Sequence, residues 1–156
     1  MRNILPPIKE HVKEMNKILV IGQAPPAVEQ KLPYDTTMMY DWLGILGISK
    51  EDAQDMFEWE AVYDKFPGHG TDGHLVPKYE QAKEHWDKTL KAKFLAADKV
   101  WILGNVALDY VSDFVTDEEW YSRKIAVTIH PSFRNRALFK KISTKTLDAI
   151  ESLIND

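Results

Sequence analysis

The chain has 156 residues, no cysteine, 44% apolar and 28% charged residues, and a net charge of −4. These values describe one soluble globular domain over 1–156 with its own core. They exclude disulfides, thiolate zinc sites and iron–sulfur clusters. No apolar run nears the ~18 residues that span a bilayer. The N-terminus, MRNILPPIKEHVKEMNK, breaks its apolar residues with prolines and charges, unlike a secretory leader. No membrane partner is expected, and a cytoplasmic monomer is the default.

The first element in the chain is KILVI (17–21), a short apolar run that reads as a strand. It ends on Gly22 and enters the stiff turn GQAPP (22–26). Residues 36–46 form a helical pattern capped by Asp35 or Thr36 and stopped by Gly47. Ser49 and Asp52 give a capping-box-like start to a short helix. FEWEAV (57–62) is the second strand. The loop YDKFPGHGTDGHLVP (63–77) follows, rich in Gly and Pro, as surface loops near sites are. Pro77 opens a long helix with Tyr79, Ala82, Trp86, Leu90 and Ala97 on one stripe. KVWIL (99–103) is the third strand. After Gly104 comes a helix with Val106, Ala107, Tyr110, Val111 and Phe114 as apolar positions. IAVTIH (125–130) is the fourth strand. A last helix, about 137–154, presents Leu138, Ile142, Leu147, Ile150 and Ile154.

Strands alternating with helices predict an α/β fold: three αβα layers around a four-stranded parallel sheet. The near-continuous apolar character of strands one and three fits burial on both faces. Ligands of such folds bind at the carboxyl ends of the strands. Gly22, Val62, Gly104 and His130 mark those ends here.

The charge is unevenly spread. Residues 123–145 hold seven basic side chains (Arg123, Lys124, Arg134, Arg136, Lys140, Lys141, Lys145) and no acidic one. With +7 in this segment and −4 overall, the remaining chain carries −11. Net acidity taken alone argues against nucleic acid. The segregation is compatible with a local anion-attracting face or with a solvated helix face.

Two strand ends carry chemistry. In GQAPP, backbone amides of the Gly22–Gln23–Ala24 turn can point at an oxygen, while Pro25 and Pro26 fix the chain. The turn lacks the glycines and lysine of a phosphate-binding loop, and it also reads as a plain connection. In HPSFRNR (130–136), Pro131 stiffens the exit from His130, and Ser132 can bind a phosphate. Phe133, Arg134 and Asn135 offer an aromatic wedge and polar fingers, a mixture suited to a loop pressed into a duplex.

Together these motifs resemble the uracil-DNA glycosylase superfamily, with its G-x-x-P turn after the first strand and its H-P-S loop after the last. VWILGNVA (100–107) is similar to the superfamily's third strand and Gly-headed helix, and Pro33-Tyr34 to its Pro–aromatic pair. The likeness spans about residues 17–150. It implies flipping of a damaged base, uracil or another deaminated one, out of DNA and hydrolysis of its N-glycosidic bond. It implies no cofactor. By carry-over, His130 donates to the departing base, helped by backbone amides at Gly22, Gln23 and Ala24. Tyr34 stacks on the base, or packs at the start of a helix. Ser132 holds a flanking phosphate, and Arg134 with Phe133 and Asn135 fills the gap in the duplex. Lys140 and Lys141 add backbone contacts.

Two departures from the family pattern stand out. Where relatives place a water-positioning carboxylate or asparagine, this chain has Gln23 and Ala24. Asp35 is the nearest acidic candidate, with helix capping as its other reading. Glu60 aligns with the family's uracil-reading asparagine, and an ionised carboxylate accepts only. It is also open to a reading as a misaligned surface residue. His69 and His74 lie near Asp64 and Asp72 at a spacing that fits no familiar metal pattern, so no metal is expected. His11 and His85 read as surface residues. The departures leave room for a catalytically weak relative that binds nucleic acid or a free nucleobase. The net acidity leaves room for an enzyme acting on a small nucleotide-like substrate.

Overall fold

The computed structural model of the chain describes residues 17–23, 37–65, 67, 69–70, 73–74, 76–128 and 144–155. Four strands form one sheet: β1 (Ile18–Gly22), β2 (Phe57–Ala61), β5 (Lys99–Leu103) and β6 (Lys124–Thr128). Their order is β2-β1-β5-β6, and every pairing is parallel, as the alternation of elements predicts. Two further strands, β3 (His69–Gly70) and β4 (Gly73–His74), make a small antiparallel ribbon inside the stretch read as loop.

Period-two alternation divides the sheet's side chains between two cores. Ile18, Val20, Phe57, Ala61, Trp101, Leu103 and Ala126 face one side. There they meet α1 (Thr37–Ile45), α2 (Lys50–Met56) and α7 (Thr144–Asn155) through Trp42, Leu43, Ala53, Met56, Ile150 and Leu153. Leu19, Ile21, Val100 and Ile102 face the other side. They meet the π turn Trp86–Leu90 that joins α3 (Tyr79–His85) to α4 (Lys91–Ala96), α4 itself and α5 (Gly104–Phe114), through Trp86, Leu90, Phe94, Ala107 and Val111. Trp42, Trp86 and Trp101 are fully buried, so these three tryptophans serve the core as expected.

Helix boundaries follow local chemistry. Gly47, at φ 82°, ends the α1 region in the left-handed conformation that favours glycine. Ser49 Oγ accepts from the Asp52 amide at 3.1 Å and starts α2. α3 begins at Tyr79, two residues after Pro77. It passes through a π turn at Trp86–Leu90 into α4, so the long helix is interrupted without bending its apolar stripe out of the core. A short helix absent from the sequence reading, α6 (Asp117–Tyr121), has a full capping box. Glu119 N donates to Thr116 Oγ1 at 3.1 Å, and Thr116 N donates to Glu119 Oε1 at 2.8 Å. The last helix is described from Thr144 on; residues 137–143 of the expected span lie outside the described residues.

Candidate active site at the carboxyl edge of the sheet

The parallel register brings the strand ends level. Gly22 pairs with Ala61, Ile21 with Ile102, and Leu103 with Thr128. The chain therefore leaves β1, β2, β5 and β6 on one edge. Gly22 is buried, and its carbonyl accepts from the Val62 amide at 2.9 Å, which extends the β1–β2 pairing one step beyond the strands. Gln23 follows, half-buried at the rim.

β5 turns into α5 at Gly104, whose φ of 84° is again left-handed. Leu103 sits at the cap and offers no side-chain acceptor, and the first turn of α5 has no acidic residue. Its leading amides follow directly on the end of β5, at the positive end of the helix dipole. β6 is fixed from below. The Trp101 indole donates to Thr128 Oγ1 at 2.9 Å, and both are buried. This bond anchors the last residue of β6, two positions before His130. His130 itself, with Ala24, Tyr34, Asp35, Ser132, Phe133, Arg134, Asn135, Lys140 and Lys141, lies outside the described residues.

Glu60 sits one step inside the edge, opposite Ile21 and on the same face of the sheet. Its Oε2 accepts from Lys93 Nζ on α4 at 3.0 Å, and the same ammonium lies 2.9 Å from Glu58 Oε1. Desolvation acts to lower the pKa of Lys93, but the hydrogen bonds and charges of Glu58 and Glu60 outweigh it and raise the pKa above the ordinary lysine value.

Three placements revise the sequence reading. Arg123 and Lys124 stand at the opposite end of β6 from His130. Arg123 donates to the carbonyls of Ala97 and Glu119 and stacks 4.4 Å from the centroid of Phe94. Lys124 Nζ donates to the Ser152 carbonyl at 2.8 Å, and Lys99 Nζ to that of Ile154 at 3.0 Å. These two lysines answer the carbonyl end of α7. Of the seven basic side chains of the 123–145 segment, Arg123 thus serves packing and Lys124 capping. His85 is no surface residue: only 9% of its side chain is exposed, with Nδ1 4.0 Å from Asp64 Oδ2. Its charged sequence neighbours, Lys83, Glu84 and Asp87, gave no sign of this, and Asp64 lies on the other side of the loop in sequence. A cavity of about 280 Å³ is lined by Lys17, Leu19, Glu58, Lys93 and Ala97 at the amino end of the sheet, away from the carboxyl edge.

The sequence matches the family model of the Uracil DNA glycosylase superfamily over residues 10–154. The chain belongs to that superfamily. No curated protein matches it at a significant level. Membership in the uracil DNA glycosylase superfamily supports a DNA-glycosylase-like function in general and implies a DNA substrate. Among the described residues, no helix is long and apolar enough to cross a membrane.

Proposed function

We propose that the protein is a DNA glycosylase of base-excision repair, one that flips uracil or another deaminated base from DNA and hydrolyses its N-glycosidic bond. The observation that carries this reading is the level parallel register. It ends β1 at Gly22 and β6 at Thr128 on one edge, the edge to which the GQAPP and HPS motifs attach. The chemistry fits the residues of those motifs. As the glycosidic bond breaks, negative charge develops on the base and positive charge on the sugar. His130 donates to the base oxygen that gains charge, with the amides of the Gly22–Ala24 turn beside it. Tyr34 stacks on the flipped base. Gln23 orients the water, with Asp35 as the acidic group nearest to it; an oxocarbenium-like sugar asks little of its nucleophile. Ser132, Arg134, Asn135, Lys140 and Lys141 meet the duplex, and Phe133 wedges into it. The absence of a carboxylate at Gln23 and Ala24 supports a modest rate and keeps a weakly catalytic binder as the second reading.

The test is a panel of duplexes containing uracil, hypoxanthine, xanthine or a mismatch, scored for abasic sites. At least one should be cleaved by the parent. His130→Ala should lose about 10²-fold or more, the scale for removing a donor to a developing anion. Gln23→Ala should lose less. Activity equal to the parent in the His130 variant removes His130 from the mechanism, and binding without cleavage on every duplex selects the second reading.

A further inference from the structure

The chain leaves β2 at the carboxyl edge through Val62, Tyr63, Asp64 and Lys65. Val62 is buried, and its amide donates to the Gly22 carbonyl, so the exit of β2 is bonded to the end of β1. Two residues further on, Asp64 meets α3. Its Oδ2 lies 4.0 Å from Nδ1 of His85, the last residue of α3, whose side chain is only 9% exposed. Lys88, in the π turn, adds a positive charge that does not depend on the protonation of His85. The pKa of Lys88 is raised by its hydrogen bond to Glu84, 2.6 Å away, and further by the charge of Asp64. That of Glu84 is lowered by Lys88 and further by Lys65. Signs therefore alternate across the contact, Asp64 with His85 and Lys88, Lys65 with Glu84. A single exposed ion pair holds little, but several charges in one network hold more. The far end of the stretch between β2 and α3 is tied as well, where the Tyr110 hydroxyl donates to the Pro77 carbonyl. The helix widens into its π turn right after His85, and such turns are frequent at functional sites.

We propose that Asp64 and His85, with Lys88, are positioning residues for the carboxyl edge. They hold the exit of β2 against α3 and, through the bond between Val62 and Gly22, keep the turn that begins at Gly22 in place for the departing base. The proposal rests on the glycosylase reading, because only there do amides of that turn meet a developing negative charge. Donors of this kind act by being fixed before the reaction begins. An anchor two residues from Val62 contributes to that without touching the base, and Asp64 transfers no proton.

Amide hydrogen exchange and excision kinetics, the latter on the duplex that the parent cleaves fastest, test it together. Asp64→Asn removes a charge from an exposed side chain and leaves the core untouched. Exchange of the Val62 amide should speed up by about fivefold, the scale of a partly exposed ion pair, while the amides of Leu19–Ile21 keep their protection. kcat should fall by a similar factor and KM for the duplex should hold, because no phosphate contact is altered. His85→Leu should reproduce both effects. The double variant should be no worse than either single one, as for residues that act through one contact. Asp64→Glu keeps the carboxylate and should behave much as the parent does. Asp87→Asn breaks the pair of Lys83 with Asp87 on the same helix and should change neither readout. Parent-like exchange at Val62 in Asp64→Asn overturns the proposal, as does faster exchange with an unchanged kcat or an additive loss in the double variant. A parent that cleaves no duplex overturns the glycosylase reading and the positioning role with it, and exchange at Val62 then decides whether the anchor itself exists.

Discussion

The carboxylate of Glu60 has an ammonium 3.0 Å away, and that partner limits what it can offer a base. An ionised carboxylate only accepts hydrogen bonds, and Lys93 already occupies one of its oxygens. Glu60→Asn restores a group that both donates and accepts. If Glu60 reaches the base, uracil excision should rise relative to hypoxanthine by about 1–3 kcal/mol of discrimination, roughly one to two decades in relative rate. Paired kinetics on the two duplexes read this out, and an unchanged preference assigns Glu60 to the sheet face alone. Lys93→Met is the complementary change. It leaves Glu58 and Glu60 two positions apart on one face without their shared cation. The loss should be about 1 kcal/mol, the upper range for partly exposed pairs, seen as a lower denaturation midpoint. The pH behaviour follows from the sign of the shift. Because the pKa of Lys93 is raised, its contribution is complete below the unfolded lysine value and disappears as pH rises through the folded one. Stability should therefore differ between parent and variant at neutral pH and converge in strong alkali. The position of Glu60 at the end of a strand was legible in the sequence. Its partner was not, because Lys93 is 33 residues away and only the packing of α4 on the sheet brings the two together. The burial of His85 was hidden for the same reason.

At the scale of elements, the four strands and the long helices were legible because each announces itself by its apolar pattern. The α6 turn was not, although its Thr116–Glu119 box is written in the sequence. Five residues are too few to show a helical period, so only the cap could have revealed it. The π turn at Trp86–Leu90 was hidden by its own regularity: Ala82, Trp86, Leu90 and Phe94 keep an i, i+4 spacing through it. The ribbon was hidden because its residues, histidine and glycine, are not strand formers. The turn from β5 into α5 was legible as a glycine and acquires its reason from the structure. At φ 84° Gly104 holds a conformation that costs an L-residue about 1–2 kcal/mol. Gly104→Ala should therefore lower stability by that amount. If the strain also shifts the β5–α5 junction at the carboxyl edge, excision should fall by more than the stability loss explains. The measurement is the rate at a temperature well below both thermal midpoints. An unaltered rate there would confine Gly104 to a structural role.

Across the whole molecule, the sheet separates two apolar cores and gathers the strand ends on one edge, which is why motifs scattered from residue 22 to residue 136 can be read as one site. The alternation of strands and helices in the sequence was enough to expect this, since a parallel sheet admits few arrangements. The charge distribution was less readable, because a run of basic residues in sequence need not be a patch in space. Arg123 and Lys124 are spent at the amino end of β6, on the carbonyls of Ala97, Glu119 and Ser152. Lys140 and Lys141 lie outside the described residues, past the HPS motif. Their contribution to duplex binding is separable from that of Lys124 by salt. Each phosphate neutralised adds about 0.9 to the slope of log K against log salt for duplex DNA. Lys140→Glu with Lys141→Glu should therefore weaken binding and flatten the slope by up to about 1.8. Lys124→Gln removes a charge of the same sign from the same run, yet its ammonium answers a helix carbonyl. It should lower the thermal midpoint and leave the slope as it was. Fluorescence anisotropy on one duplex across a salt series distinguishes the outcomes. Flattening by both variants would mean that the net charge of the segment, rather than its placement, attracts DNA, and an unchanged slope in the double variant would make the two lysines a solvated face of the protein.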